Sequence, residues 1–226
     1  MLKIEKTEVL GWAAAIRGMR NPMNSWDKSD SYFTHIEDLE TLQTAPFEFF
    51  LGEADHDLMK RLRNAGTDHR KFMRMITVYV DLTAPLYWWK EFDTYKVGTV
   101  ANSCSTMHKI HAKEFTLDDF SHEHLIPEAE DVLKDVIDAM NDCRDVYVNY
   151  DRYKNEDSFR GEFDKKDVWW QMIQLLPTSY NQKRTVMLNY EVLANIYKSR
   201  KNHKLDEWHT FCEWIETLPW SELITG

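Results

Sequence analysis

The stretch "AEDVLKDVIDAMNDCRDVYVNY", residues 129–150, constrains the fold of this chain more than any other. Val132, Leu133, Val136, Ile137, Met140, Cys143 and Tyr147 recur at three- and four-residue steps, which predicts one long amphipathic helix with a single apolar face. Such a face has to be buried against other elements. Similar periodicity predicts helices over residues 8–20 (Val9, Leu10, Trp12, Ala13, Ile16, Met19), ending before Pro22, and over "EADHDLMKRLRNAG", closed by Gly66. Helices are also predicted for "LYWWKEFDTY" after Pro85, "KDVWWQMIQLL" before Pro177, "TVMLNYEVLANIYKSR" and "LDEWHTFCEWIETL". One segment differs. In "KFMRMITVYVDL", Ile76, Val78 and Val80 alternate with Thr77, Tyr79 and Asp81, the two-residue period of a strand. Residues 21–47 are polar and turn-rich and read as a long ordered loop. The expectation is one helix-dominated α+β domain over residues 1–226.

With 43% hydrophobic residues, nine Trp and only 7 Gly and 6 Pro, the chain has ample core material and no linker-like composition. The formal net charge of −10 argues against duplex nucleic-acid binding, which relies on clustered Lys and Arg. It leaves room for a small anionic ligand in a locally positive pocket. Glu8 and Arg17 interrupt the N-terminal apolar stretch, no run of 18 apolar residues occurs, and three widely spaced Cys make no pairing pattern. A reduced, cytoplasmic protein without a membrane span is expected.

Several features invite chemical readings. His108 and His111 lie three apart and His122 and His124 flank Glu123, but a zinc site needs three or four converging ligands and no CxxC or HExxH spacing occurs. Cys104 reads as a small buried thiol rather than a nucleophile. The run "DKSDSYFTHIEDLE" reads as a solvated face, and Thr116 with Asp119 as a structural helix start. Trp88–Trp89 and Trp169–Trp170 read as core, with one ring of each pair directed away from its helix's apolar stripe. The hydroxyl-rich stretch "TYKVGTVANSCSTMH" (residues 94–108) is different, because Asn102, Ser103 and Ser105 could donate to a phosphate or a base edge.

That stretch resembles the signature of the flavin-dependent thymidylate synthases: Arg-His-Arg, two residues, Ser, one residue, Asn-Glu, one residue, Ser, one residue, Arg-Tyr. Anchored on Ser105, Asn102 falls on the Asn and Ser103 on the Glu, with Met107-His108 on the closing Arg-Tyr. The block "LPTSYNQKRTVMLNYEVLANIYKSR" is similar to the family's Leu-Pro block and following helix, with Leu176-Pro177, Asn189, Leu193, Asn195 and Arg200 in register. "NAGTDHRKF" resembles the family's Ala-Gly-x-x-His segment and puts His69 on a flavin-side position. The resemblance covers roughly residues 50–215.

The resemblance implies a thymidylate-synthase-complementing-type α+β fold with a small sheet, and a homotetramer. It implies FAD-dependent methyl transfer from methylenetetrahydrofolate to dUMP, with NADPH reducing the flavin. By the same resemblance Arg200 polarises the pyrimidine, and Ser103 and Ser105 contact the nucleotide. His69, Lys96, Asn102, Asn189 and Asn195 would frame the cofactor. Five family arginines are absent, their places taken by Tyr95, Val97, Met107, Ile173 and Glu191. Guanidinium groups bind phosphate through paired, charge-assisted hydrogen bonds, so this loss weakens the family's usual geometry for dUMP. Two expectations follow: a divergent enzyme acting on a pyrimidine nucleotide, or a non-catalytic homologue that kept the fold. A positive cleft built from Lys96, Lys109, Lys198 and Arg200 would favour the first.

Overall fold

The computed structural model describes residues 1–34, 49–155 and 163–226. Strand β1 (Lys3–Leu10) leads into helix α1 (Trp12–Arg20). The apolar pattern over 8–20 therefore spans two elements, not one helix. Gly11 separates them at φ +98°, and a Cβ there would fall 2.0 Å from the backbone oxygen of Met75. Only glycine can make this turn. Short strands β2 (Tyr32–Phe33) and β3 (Phe49–Phe50) pair antiparallel, followed by α2 (Glu53–Asn64). A 3-10 turn (Arg70–Met75) then enters β4 (Thr77–Pro85), on which Val78 and Val80 are buried together with the preceding Ile76, as the alternation predicts.

Next come α3 (Leu86–Phe92), β5 (Val100–Ser103) and α4 (Thr106–Lys109). The long helix is α5 (Pro127–Val148), followed by α6 (Tyr150–Tyr153) and α7 (Lys165–Leu175). Strand β6 (Asn181–Asn189) and helices α8 (Tyr190–Arg200), α9 (Asp206–Glu216) and α10 (Glu222–Thr225) complete the chain. The sequence places Thr185–Asn189 at the start of a helix, but these residues finish β6. Asn189 makes the break: its side chain accepts the Val192 N–H at 3.0 Å, capping α8.

The larger sheet has the order β1-β4-β6-β5. β4 and β6 run antiparallel, with Tyr190 N donating to Ile76 O at one end and Leu86 N to Tyr180 O at the other. The architecture is helix-rich α+β with a small antiparallel sheet. No described helix is long and apolar enough to cross a membrane.

Contacts divide the chain into two compact units. The first comprises Met1–Ile4, Asp81–Thr94 and Asn102–Thr185. In its core Leu133, Ile137 and Met140 of α5 meet Met172 of α7 with Ile110, Phe115 and Phe120. Val136, Cys143 and Tyr147 pack against that cluster, but Val132, placed on the same face by the sequence, is 62% exposed. It lies at the margin of the stripe, one position before Leu133. Trp88 and Trp89 are both fully buried, contrary to the outward ring expected for one of them, whereas Trp170 does face out. The Trp89 Nε1–H donates to Gln182 O at 2.9 Å and the Arg184 guanidinium lies 4.1 Å over the ring, so this indole has polar partners inside the core. Thr116 and Asp119, read as a structural helix start, form a capping box on a 3-10 turn.

The second unit comprises Glu5–Val80, Tyr95–Ala101 and Val186–Gly226. Trp12 packs edge-on to Tyr190 and Trp220, and Tyr190 donates to Pro219 O at 2.6 Å. The described part of the 21–47 loop is fixed by a buried ion pair. Arg20 Nε donates to Asp55 Oδ1 at 2.6 Å, while Asp55 Oδ2 accepts from the hydroxyls of Ser29 and Ser31, both at 2.7 Å. Asp30 in turn accepts from the Ala54 and Asp55 N–H groups and caps α2, whose own N-cap, Gly52, has no side chain to do so. The expected solvated face over 27–40 is thus structural at Ser29–Ser31, and its second half, 35–40, lies outside the described residues.

Candidate functional site

The residues singled out in the sequence divide between the units. Asn102, Ser103 and Ser105 belong to the first; His69, Lys96, Asn189, Asn195 and Arg200 belong to the second.

In the first unit, Asn102 and Ser103 are exposed near the end of β5. Ser105 caps the short helix α4, its Oγ accepting the His108 N–H at 3.2 Å. Cys104 is exposed, not buried as the sequence suggests. It sits just past the end of edge strand β5, where its N–H donates to Lys183 O at 3.0 Å and nothing covers the side chain. Of the residues that stand where the resemblance places arginines, Met107 is exposed and Ile173 is partly buried. Met107 O accepts the Trp169 indole N–H at 3.2 Å, and Ile173 packs against the α5–α7 core.

In the second unit the named residues separate onto different faces of α8. Glu191 and Asn195 are four apart and share a face; Arg200, nine residues beyond Glu191, lies about 180° away around the helix. The face carrying Glu191 meets the 3-10 turn. Arg70 Nε donates to Glu191 Oε1 at 3.3 Å and its Nη2 to Asn195 Oδ1 at 3.2 Å. Arg74 donates through Nε to Glu191 Oε2 and through Nη2 to Oε1 at 3.3 Å. Phe72 and Met73 between them are buried, which anchors the turn and leaves both arginines facing α8. Burial raises the Glu191 carboxyl, but Arg74 and Arg70 outweigh it and hold the group below its ordinary value. The Arg74 side chain remains 56% exposed, so it can still meet a ligand. His69 opens the same turn and is exposed, and Lys198 continues the Glu191 face one turn beyond Asn195.

Arg70 and Arg74 are the functional candidates that sequence reasoning missed. The sequence gives only a partial signal: Glu191 on a helix face patterned for burial needs a cation, and "HRKFMR", starting at His69, offers three in Arg70, Lys71 and Arg74 without a local pattern that links any of them to Glu191.

The other predicted positions are engaged elsewhere. Arg200 Nε donates to the Tyr95 hydroxyl at 2.8 Å, and its guanidinium lies 4.7 Å from the Trp208 ring centre. Both amide ends of Asn189 are used, one in the α8 cap and one donating to Gly98 O at 3.4 Å. Gly98 has φ +79°, and a Cβ on it would fall 2.7 Å from the Asn189 amide, which explains the glycine in this stretch. Lys96 is exposed. Lys198 and Arg200 point from different faces of α8.

Arg200→Ala is expected to act on stability as well as binding. It removes a stacked cation worth about 0.5–2 kcal/mol and a charged hydrogen bond worth about 1.5–3 kcal/mol. Urea unfolding should report a loss of about 2 kcal/mol or more once overlap between the two contacts is allowed for. Tyr95→Phe, which keeps the ring and removes only the hydrogen bond, should lose the larger part of that, about 1.5 kcal/mol or more. An unchanged midpoint in Arg200→Ala would contradict this role.

No protein-family model and no curated protein sequence matches the chain. Solved structures do match in fold. One is thymidylate synthase X (ThyX) from Helicobacter pylori, crystallised with FAD and dUMP: TM-score 0.64 and 14% identity, covering 100% of this chain and 98% of that one. A second is the flavin-dependent thymidylate synthase ThyX of Helicobacter pylori complexed with FAD and dUMP: TM-score 0.62 and 14% identity over 99% and 98% of the two chains. The chain has the fold of these synthases along its whole length.

Proposed function

We propose that the chain is a divergent thymidylate-synthase-like flavoprotein that binds a pyrimidine nucleotide such as dUMP, with reductive methyl transfer as its reaction. The observation that carries this reading is the meeting of Arg70 and Arg74 with Asn195 around Glu191, beside His69. Two guanidiniums meet the Glu191 carboxylate, with the Asp68 charge also acting on Arg74, and they offer a donor-rich edge on a fold whose solved neighbours were crystallised with FAD and dUMP.

These residues fit the phosphate end of FAD. Arg70, Arg74, His69 and Asn195 would hold its pyrophosphate, while Asn189, its amide already committed, would shape the site without touching the cofactor. A bound flavin would supply the reducing equivalents, replenished by NADPH, with methylenetetrahydrofolate as one-carbon donor. The chain's own part is to bind and orient, because this chemistry asks for positioning and electrostatics rather than a protein nucleophile.

A second reading, a non-catalytic homologue serving as a nucleotide-binding or protein-interaction module, is favoured by Arg200. Its guanidinium is occupied by Tyr95 and Trp208, whereas polarising a base requires it to reach out. Calorimetric titration of dUMP into FAD-saturated protein separates the two. The first reading expects dUMP to bind at least about tenfold more tightly than 2′-deoxyuridine, through its phosphate, and NADPH to drive dTMP formation when folate is present. Binding of dUMP without turnover supports the second; absence of dUMP binding removes the first.

A further inference from the structure

In the first unit, one flank of the α5–α7 pair forms an apolar groove with an acidic rim. Its deepest part is a cavity of about 350 Å³ where Cys143 and Val146 of α5 meet Val168 of α7, with Phe163 at one end. Asp142, Asp167 and Gln171 complete the lining, which contains no cation among the described residues. The groove continues past the cavity. The helical period sets Val132, Val136 and Ala139 on the same side of α5 as Cys143 and Val146. The two helices run antiparallel, with Tyr147 beside Lys165 and Met140 packed in one cluster with Met172. Leu175, one turn beyond Gln171, therefore lies toward Val132. Val132 is 62% exposed, Phe163 54% and Leu175 42%. Apolar side chains gathered along one exposed groove mark an interaction surface.

The rim carries the charge. Helix α5 holds seven carboxylates against two cations, Lys134 and Arg144. Both cations are engaged: Lys134 pairs with Glu130 and Asp131, and Arg144 Nε donates to His111 O at 3.1 Å. Asp135, Asp138 and Asp142 follow one another at three- and four-residue steps, so they form a stripe along the groove. All three are exposed, and none makes an ion pair among the described residues.

We propose that this groove docks a basic amphipathic helix of a partner protein, with its apolar stripe on Val132, Val146, Phe163 and Leu175 and its lysines or arginines against Asp135, Asp138 and Asp142. Length favours a helix. Val132 and Val146 stand fourteen positions apart, about 21 Å along the axis, which matches about four turns of a docked helix. A small apolar molecule would fill the cavity alone and leave Val132 and Leu175 in water. Charge selects a basic partner, because a second copy docking through the same face would set carboxylate against carboxylate. The groove stands apart from the flavin reading, and the failure of either leaves the other as it is.

The test is fluorescence anisotropy on the full chain with a labelled peptide of about 18 residues. Its leucines recur at three- and four-residue steps with lysines flanking them, and a twin peptide carries glutamates in place of the lysines. The lysine peptide is expected to bind and the glutamate peptide is not. Asp135→Asn/Asp142→Asn should weaken the lysine peptide about fivefold, and Val132→Ser/Leu175→Ser about tenfold. All four side chains are exposed, so the fold is retained, which far-ultraviolet circular dichroism verifies. Weakening by the aspartate substitutions alone would reduce the contact to unspecific ionic attraction and overturn the groove. Equal affinity for the two peptides, or no binding of the lysine peptide at millimolar concentration, would overturn it as well. If the wild-type chain self-associates in sedimentation velocity and Val132→Ser/Leu175→Ser abolishes this, a second copy covers the groove and the basic partner is excluded.

Discussion

Replacing Asp55 by alanine is expected to lower the unfolding free energy by about 3–5 kcal/mol, the range for breaking a buried ion pair from one side. Asp55 is fully buried and Arg20 nearly so, so the substitution strands a guanidinium with little access to water. It also orphans the hydroxyls of Ser29 and Ser31 and the N–H groups of Asp30 and Ser31, all directed at Asp55 Oδ2. The effect has a pH signature. Burial raises the Asp55 carboxyl, but the hydrogen bonds from Ser29, Ser31 and Arg20 prevail and its value falls below the ordinary one. A carboxyl lowered in the folded state stabilises fully above its unfolded value of about 3.9 and loses that contribution as the pH falls through the folded value. The gap between wild type and Asp55→Ala in urea should therefore be widest near neutrality and close in strong acid. A gap below about 1 kcal/mol at neutral pH would contradict the account of this loop.

The second large effect is on flavin binding. Arg70→Ala/Arg74→Ala is best made together with Glu191→Gln, so that no buried carboxylate is left without its cations. The triple variant is expected to bind FAD about 100-fold more weakly than wild type, because two charge-assisted donors are removed from the pyrophosphate. Glu191→Gln alone should act in the opposite direction. It releases both guanidiniums from their internal partner and should tighten FAD binding, at some cost in stability because the pairing is lost. Equilibrium dialysis with FAD reads both signs. Equal affinity in wild type and triple variant would take the flavin away from this face of α8.

The helices are legible in the sequence because each buries one stripe, and a stripe is a local pattern. The clearest case is α5, where only Val132 departs from the expected face. The outer strands are less legible. β1 reads "KIEKTEVL", with most positions exposed or half-buried, so its two-residue period carries little hydrophobic contrast and merges with the apolar start of α1. β6 begins with the polar "NQKR" and ends in Val186 and Leu188, whose spacing continues without a break into α8. The boundary depends on one Asn189 side chain folding back onto Val192 N.

The candidate site is legible at Asn195 and His69, through the resemblance. Arg70 and Arg74 are not, since their role depends on Glu191, a residue more than a hundred positions away that no local period connects to them. The surroundings of Arg200 are illegible for a similar reason. Sequence alone does not reveal that Tyr95 and Trp208 reach its guanidinium first.

The central claim, that this fold still serves a nucleotide-type cofactor through relocated cations, is tested most directly by the visible absorption spectrum of the purified full chain before and after addition of FAD, read on the fraction eluting from size exclusion. The account predicts flavin bands that co-elute with the protein and shrink in the Arg70/Arg74/Glu191 variant. A protein that remains colourless after FAD is added would contradict it.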